Sequence, residues 1–133
     1  MPWLPDTNVW IQLLKNAEGS YESRLLSHSP TEIRLCSIVK AELWHGAMKY
    51  ERSDRRIAAL AKLFDGFVSL PFDDAAAWHY GAIRHGLEKV GLPIGPNDLK
   101  IAAICRAHGL TLVTSNVREF LRVPDLKVED WSV

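Results

Sequence analysis

The sequence predicts one three-layer α/β/α domain with a central, mainly parallel sheet, and three observations carry that expectation. Short β-forming runs alternate with helix-length amphipathic segments along the chain, the pattern of successive strand–helix–strand units. The run 110–114, Leu-Thr-Leu-Val-Thr, is apolar and β-branched without alternation, as expected of a parallel strand covered on both faces. The length, 133 residues with 47% hydrophobic and 24% charged, suits a single domain over 1–133 and leaves no room for a second core of ordinary size.

The elements follow in order. Trp3-Leu4-Pro5 forms a short strand and leads into Asp6-Thr7-Asn8, after which Val9, Trp10, Leu13 and Leu14 recur at helical spacing. A small helix is expected near 21–26. Residues 32–38 are rich in β-formers around Ile33, Leu35 and Ile38, and pass at Ser37 into a helix carrying Ala41, Glu42, Leu43, Trp44, Ala47 and Met48. Ser53-Asp54 reads as the cap of a further helix with Ile57, Leu60, Ala61 and Phe64 as its stripe and Gly66 near its end. Val68-Ser69-Leu70 is a brief strand. Asp73-Asp74 opens the next helix, whose Ala77, Trp78, Ala82, Ile83 and Leu87 are expected to face inward until Gly91 stops it. After a loop at 93–96, Asn97-Asp98 begins a helix through Ile101, Ala102, Ile104 and Cys105 to Gly109, and the strand 110–114 follows.

Sixteen basic and sixteen acidic side chains cancel, so the field of the molecule is not that of a protein permanently coating nucleic acid, and any such contact must be a local patch. No stretch approaches the roughly 20 apolar residues of a membrane span, and no basic region precedes an apolar one at the N-terminus, so the expected location is cytoplasmic, away from membranes. Cys36 and Cys105 sit in apolar stretches and read as reduced core residues; Cys105 with His108 does not complete a tetrahedral zinc site.

In parallel sheets, functional groups gather beyond the carboxyl ends of the strands. Asp6 ends the first strand, Asn116 follows the strand 110–114, and Asp98 starts a helix aimed at the same rim, with Glu42 on the first or second turn after strand two. Singly, Asp6 and Asp98 also read as helix caps, Glu42 as a solvated residue and Asn116 as a turn former. As a set they are converging oxygen donors without clustered His or Cys, an arrangement for Mg2+, with Mn2+ as the other hard ion, rather than zinc. A divalent ion offsets the repulsion among the carboxylates and activates water for phosphodiester hydrolysis without a side-chain nucleophile. Thr7, Asn8 and Thr114 are placed to orient those ligands.

The blocks Leu4-Pro5-Asp6-Thr7-Asn8, Ser37-Ile38-Val39-Lys40-Ala41-Glu42-Leu43-Trp44-His45-Gly46, Gly95-Pro96-Asn97-Asp98-Leu99-Lys100-Ile101-Ala102-Ala103 and Leu112-Val113-Thr114-Ser115-Asn116-Val117-Arg118-Glu119-Phe120 come in the order found in PIN-domain nucleases, and the chain resembles the VapC toxins among them. The tail from Arg122-Val123-Pro124 to Val128-Glu129-Asp130-Trp131 is similar to the end of that group. The resemblance implies a PIN-like fold, a magnesium-dependent endoribonuclease acting on RNA, a homodimer, and a small VapB-like antitoxin whose C-terminal segment lies across the active site. It implies Asp6, Glu42 and Asp98 as the acidic metal ligands, with Asn116 where many PIN domains carry a fourth acid and Glu119 three residues on to compensate. Pro5 departs from the plain aliphatic usual before the first aspartate and removes one backbone donor.

Arg118, beside Asn116, is the expected phosphate contact, whereas Arg52, Arg55 and Arg56 read first as a solvated helix face. Trp10, Trp44 and Trp78 recur with apolar residues at helical spacing and read as core or dimer packing, and a groove around Trp10 and Trp44 is the expected seat of an antitoxin helix. A magnesium phosphatase is the other enzyme reading; against it, Asp6-Thr7-Asn8 lacks a second carboxylate two residues after the first. A PIN-like binding protein with weak catalysis is the reading from another class.

Overall fold

The computed structural model describes residues 2–15 and 19–132. Strand β1 (Trp3–Pro5) is followed by α1 (Thr7–Lys15), α2 (Ser20–Leu26), a single 3-10 turn (Pro30–Glu32), β2 (Arg34–Cys36), α3 (Ser37–Met48), α4 (Ser53–Phe64), β3 (Val68–Leu70), α5 (Asp74–Lys89), α6 (Pro96–His108), β4 (Thr111–Val113), α7 (Val117–Phe120) and β5 (Lys127–Glu129). All strand pairs are parallel: β1 lies against β4 and β4 against β5, while β2 pairs with β3. A single bridge between Trp3 and Ile33 joins the two groups, giving the order β3-β2-β1-β4-β5.

Pro5 explains why that junction is thin. Along a strand, successive N–H groups point to opposite neighbours; Asp6 N donates to Val113 O at 2.9 Å, so the nitrogen of Pro5 faces β2 and offers it no proton. The pairing of β1 with β4 continues undisturbed through Asp6.

Right-handed crossovers place the helices between β1 and β3 on one face and those between β3 and β5 on the other. The packing agrees: α1 lies against α2 and α3, α3 against α4, and α5 most extensively against α6. One core runs through both layers, with Trp10, Trp131, Phe120, Leu4, Ile101 and Leu112 all fully buried. The chain leaves β1 toward β2 but leaves β4 toward β5, so strand order reverses between β1 and β4, and the crevice such a reversal opens lies at their carboxyl ends. No described helix is long and apolar enough to cross a membrane.

Capping is largely as the sequence predicts. Asp73 accepts from Ala76 N at 2.9 Å to start α5, and Gly109 ends α6 in the left-handed conformation at φ 66°, while Pro96, expected in the loop, takes the first position of α6. Three further expectations need correction. Arg52, not Ser53-Asp54, precedes α4, and no side chain caps it; Ala61 of the expected stripe is exposed. The inward face of α5 is Ala76, Ile83 and Leu87, whereas Ala77, Trp78 and Ala82 point outward and Trp78 is 69% exposed. A helix opening Ala75-Ala76-Ala77 has no size contrast to set its phase, so the tryptophan draws the expected stripe onto the outer face, nearly opposite the buried one. Finally, α7 and β5 follow β4 where the sequence signals no further element.

Candidate active site

All the strands run the same way, so the segments leaving them emerge on one rim. Asp6 follows β1, Glu42 sits on the second turn of α3 after β2, Asp98 lies in the first turn of α6, and Thr114 and Asn116 follow β4, with Glu119 on α7. Asp6 is 5% exposed and acts also as a cap: its Oδ1 accepts from Val9 N at 3.0 Å. Thr114, fully buried, hydrogen-bonds the same carboxylate and takes the Asn116 N–H on its Oγ1 at 3.0 Å. Thr7 donates to Glu42 Oε1 at 2.6 Å. Asn8 serves through its backbone N–H to Asp6, with an exposed side chain. Two contacts go beyond what the sequence shows. Asn97 Nδ2 stands 3.5 Å from Glu42 Oε2, and Asn116 Nδ2 donates to Glu119 Oε2 at 2.7 Å, one turn along α7.

The electrostatics tie four acids together. Burial pushes the Asp98 carboxyl up to about 6, and the charges of Asp6, Glu119 and Glu42 add to that rise. An acid in the first turn of a helix is ordinarily favoured in its charged form, so crowding and desolvation outweigh the helix terminus here. Burial likewise raises Asp6, against the hydrogen bonds of Thr114 and Val9 and with the charge of Glu42. Such a rim disfavours its own ionisation, and a hard cation is what compensates it. The donors are all oxygen and so fit magnesium or manganese in kind. Among the described residues no three His, Cys, Asp or Glu side chains already stand together as a ligand cage.

Arg118 is exposed beside this rim. Asp73 caps α5 and stands 3.4 Å from His108, which leaves the phosphatase reading without a second acid at β1. The expected groove around Trp10 and Trp44 is displaced. Trp10 is 1% exposed and packs edge-on against Phe67, and the half-buried Trp44 of α3 packs likewise against Phe64 of α4, so neither indole is free to line a groove. Beside them, however, α1, α3 and α4 enclose an open apolar groove of about 420 Å³ lined by Ile11, Leu14, Leu43, Ala47 and Leu60, with Lys15 and Arg56 on it and Glu42 at the rim end. Arg56 is stacked over Tyr50 at 3.8 Å.

Comparison with known proteins agrees with this geometry. The PIN domain family profile matches residues 3–126. The tRNA(fMet)-specific endonuclease VapC of Shigella flexneri is 39% identical over 99% of both chains, and ribonuclease VapC2 of Haemophilus influenzae is 37% identical over 98% of both. Among solved structures, DNA-bound VapBC from Salmonella typhimurium superposes with a TM-score of 0.91 at 34% identity, covering 98% of both chains. VapBC2 from Rickettsia felis bound to a promoter DNA fragment gives 0.90 at 34% identity, covering 98% of this chain and 99% of that one. With its acids at the strand ends where the parallel sheet reverses, and with relatives of this identity over its whole length, the chain belongs to the PIN-domain family and, within it, to the VapC ribonucleases.

Proposed function

We propose that the chain hydrolyses RNA phosphodiester bonds in a magnesium-dependent reaction, as a toxin neutralised by a VapB-like antitoxin. The observation that carries this is the coupled set Asp6, Glu42, Asp98 and Glu119 at the switch point of the sheet. Bound among them, magnesium, or manganese in its place, supplies the positive charge that holds a phosphate oxygen and readies water for attack. The protein's own part is positioning. Thr114 and the N–H of Val9 fix Asp6, Thr7 fixes Glu42, and Asn116 holds Glu119, which in this reading is the fourth acid while Asn116 orients it. Arg118 meets the phosphate backbone beside them.

The test is cleavage of total cellular RNA by purified, antitoxin-free protein, with magnesium and with chelator, mapping the new ends. Discrete magnesium-dependent cuts with 5′-phosphate and 3′-hydroxyl ends are expected. Glu119→Gln should lower the rate by about two orders of magnitude, and Asn116→Ala by about tenfold or less, since the first removes a ligand and the second only its anchor. The reverse order would return the fourth position to Asn116.

The groove of α1, α3 and α4 suits an apolar helix of the antitoxin, with acidic residues against Lys15 and Arg56 and an end reaching Glu42. A side chain at Gly46, which lines this groove, would meet nothing within 4 Å in the chain itself. Gly46→Trp should therefore fill the groove and weaken antitoxin binding at least a hundredfold by calorimetry, with thermal stability retained. Unchanged affinity would place the antitoxin elsewhere. Two copies of the chain pair in the working protein, as the resemblance implies.

A further inference from the structure

A second cavity, of about 340 Å³, opens between α5, the loop 93–96 and the first turn of α6, apart from the groove of α1, α3 and α4. Its volume lies in the range that holds small ligands. Leu87, Ile94 and Leu99 make an apolar floor, and all three are buried. At the mouth stand the half-buried Tyr80 and, beside it, Arg84 and Glu88, whose side chains are 56% and 58% exposed. Arg84 donates from Nε to Glu88 Oε2 and from Nη1 to the Tyr80 hydroxyl oxygen, both at 3.4 Å. Bonds of that length between exposed groups cost little to exchange for others. The cavity therefore offers an apolar floor with a donor fork and a carboxylate side by side at its edge.

We infer that this cavity is a base-reading subsite for the RNA, selective for guanine. The inference rests on the hydrolysis proposed above and deepens it. Position comes first. Asp98 and Leu99 are consecutive on α6, so the acidic rim and the cavity floor take neighbouring sides of one helical turn, no further apart than a helix width of about 10 Å. Arg118 lies beside the acids, and four residues on Arg122 donates from Nη1 to Pro93 O at 3.4 Å, on the cavity wall. Two exposed cations thus mark a path for a phosphate backbone from rim to cavity, in a molecule whose charges otherwise cancel. Chemistry then selects the base. Guanine offers O6 and N7 to an arginine fork, and its N1–H and amino group to a carboxylate. Adenine turns an amino group toward the arginine and a bare ring nitrogen toward the carboxylate, and a pyrimidine leaves part of the floor uncovered. A phosphate alone would meet Glu88 as a like charge.

Amide NMR titration of the full chain in chelator, with GMP, AMP, CMP and UMP in turn, tests the subsite apart from catalysis. GMP should shift Leu87, Ile94 and Leu99 and bind with a dissociation constant on the order of 1 mM, as one nucleotide allows. The other three should bind at least about tenfold more weakly. Glu88→Ala should bring GMP and AMP within about twofold of each other, and Arg84→Ala should weaken GMP about tenfold. Both side chains are more than half exposed, so the fold carries these changes. In total RNA, guanine should recur at one fixed place beside the cuts of the parent, and Glu88→Ala should lose that preference. Equal binding of all four nucleotides, or shifts confined to the acidic rim, would reduce the cavity to a phosphate contact and overturn the inference. So would a Glu88→Ala protein that still prefers GMP. A chain that binds GMP in this way but cuts no RNA keeps the subsite and loses the nuclease; one that cuts RNA without choosing guanine keeps the nuclease and loses the subsite.

Discussion

Asp98→Asn should abolish magnesium-dependent RNA cleavage, by about a thousandfold or more, while leaving the metal-free protein as stable as the parent or more so. The two halves of this expectation have one cause. Folding carries Asp98 from an ordinary carboxylate to one titrating at about 6, first by burial and then by the charges of Asp6, Glu119 and Glu42. The native state thus holds the proton more tightly than the unfolded chain does. Stability from this group is fully present below the unfolded value near 4 and is lost as pH rises through about 6. At neutral pH the ionised side chain costs the fold about 1–2 kcal/mol, allowing for its partial exposure to solvent. Asparagine removes that cost and the ligand together. Urea midpoints at pH 4.5 and 7.5 should therefore differ less for Asp98→Asn than for the parent, and magnesium should raise the parent's midpoint at pH 7.5 only. Cleavage retained by the variant would exclude Asp98 from the chemistry. A variant less stable at neutral pH would show that the carboxylate supports α6 rather than strains it, since Gly95 offers the helix no side-chain cap.

What could be read ahead in the sequence follows from the same physics. Asp6 reads twice over, as a cap and as a site residue; the structure bears out the cap, Oδ1 to Val9 N, and gives the carboxylate a further hydrogen bond with Thr114 at the end of β4. The two readings compete on paper but not in space, because a helix start at the end of a parallel strand is where a site forms. The C-terminal end of α6 was legible because Gly109 acts through its own backbone, whereas Pro96, which reads as the last residue of the loop, is already the first of the helix. The contact of Asn116 with Glu119 was only half visible: the two are one helical turn apart, but a four-residue helix has no periodicity to announce itself. The outward turn of Trp78 was hidden because hydropathy ranks a residue by its side chain and not by its neighbours, whereas Trp10 is buried as its core reading expects. Strand β5 was invisible. Lys127-Val128-Glu129 has neither length nor apolar run, and only its pairing with β4 makes it a strand.

That last strand is held by side chains far apart in sequence, which makes Trp131→Ala the most damaging substitution we expect for stability, at about 3–5 kcal/mol. Trp131 is fully buried at the end of the chain. Its Nε1 donates to Glu129 Oε1 at 3.1 Å, and His28 lies 5.5 Å from its ring and 3.8 Å from that of Trp3, stacked between the two. Glu129 also accepts from Trp3 Nε1 and Arg24 Nη2, both at 2.9 Å. Burial alone would raise this carboxyl, but the bonds from Trp3, Trp131 and Arg24 outweigh it and hold Glu129 below its usual range. Its contribution is present above the unfolded value and is lost as pH falls through the folded one, so the closure weakens in acid. Alanine leaves a cavity beside a charge deprived of one donor, and a loss of about 10–20 °C in Tm should follow. Trp131→Phe keeps most of the volume and loses the donor, so it should cost about 1–2 kcal/mol. The damage should also reach the rim. Thr114 N donates to Glu129 O at 3.0 Å, and Thr114 in turn holds Asp6, so a loosened β5 frees the residue that orients the first acid. Cleavage by Trp131→Ala at a temperature where it is still folded should fall several-fold below the parent, while Trp131→Phe stays close to it. If the alanine protein lost less than about 1 kcal/mol, the C-terminal strand would be an appendage to the sheet and not part of what shapes its active rim.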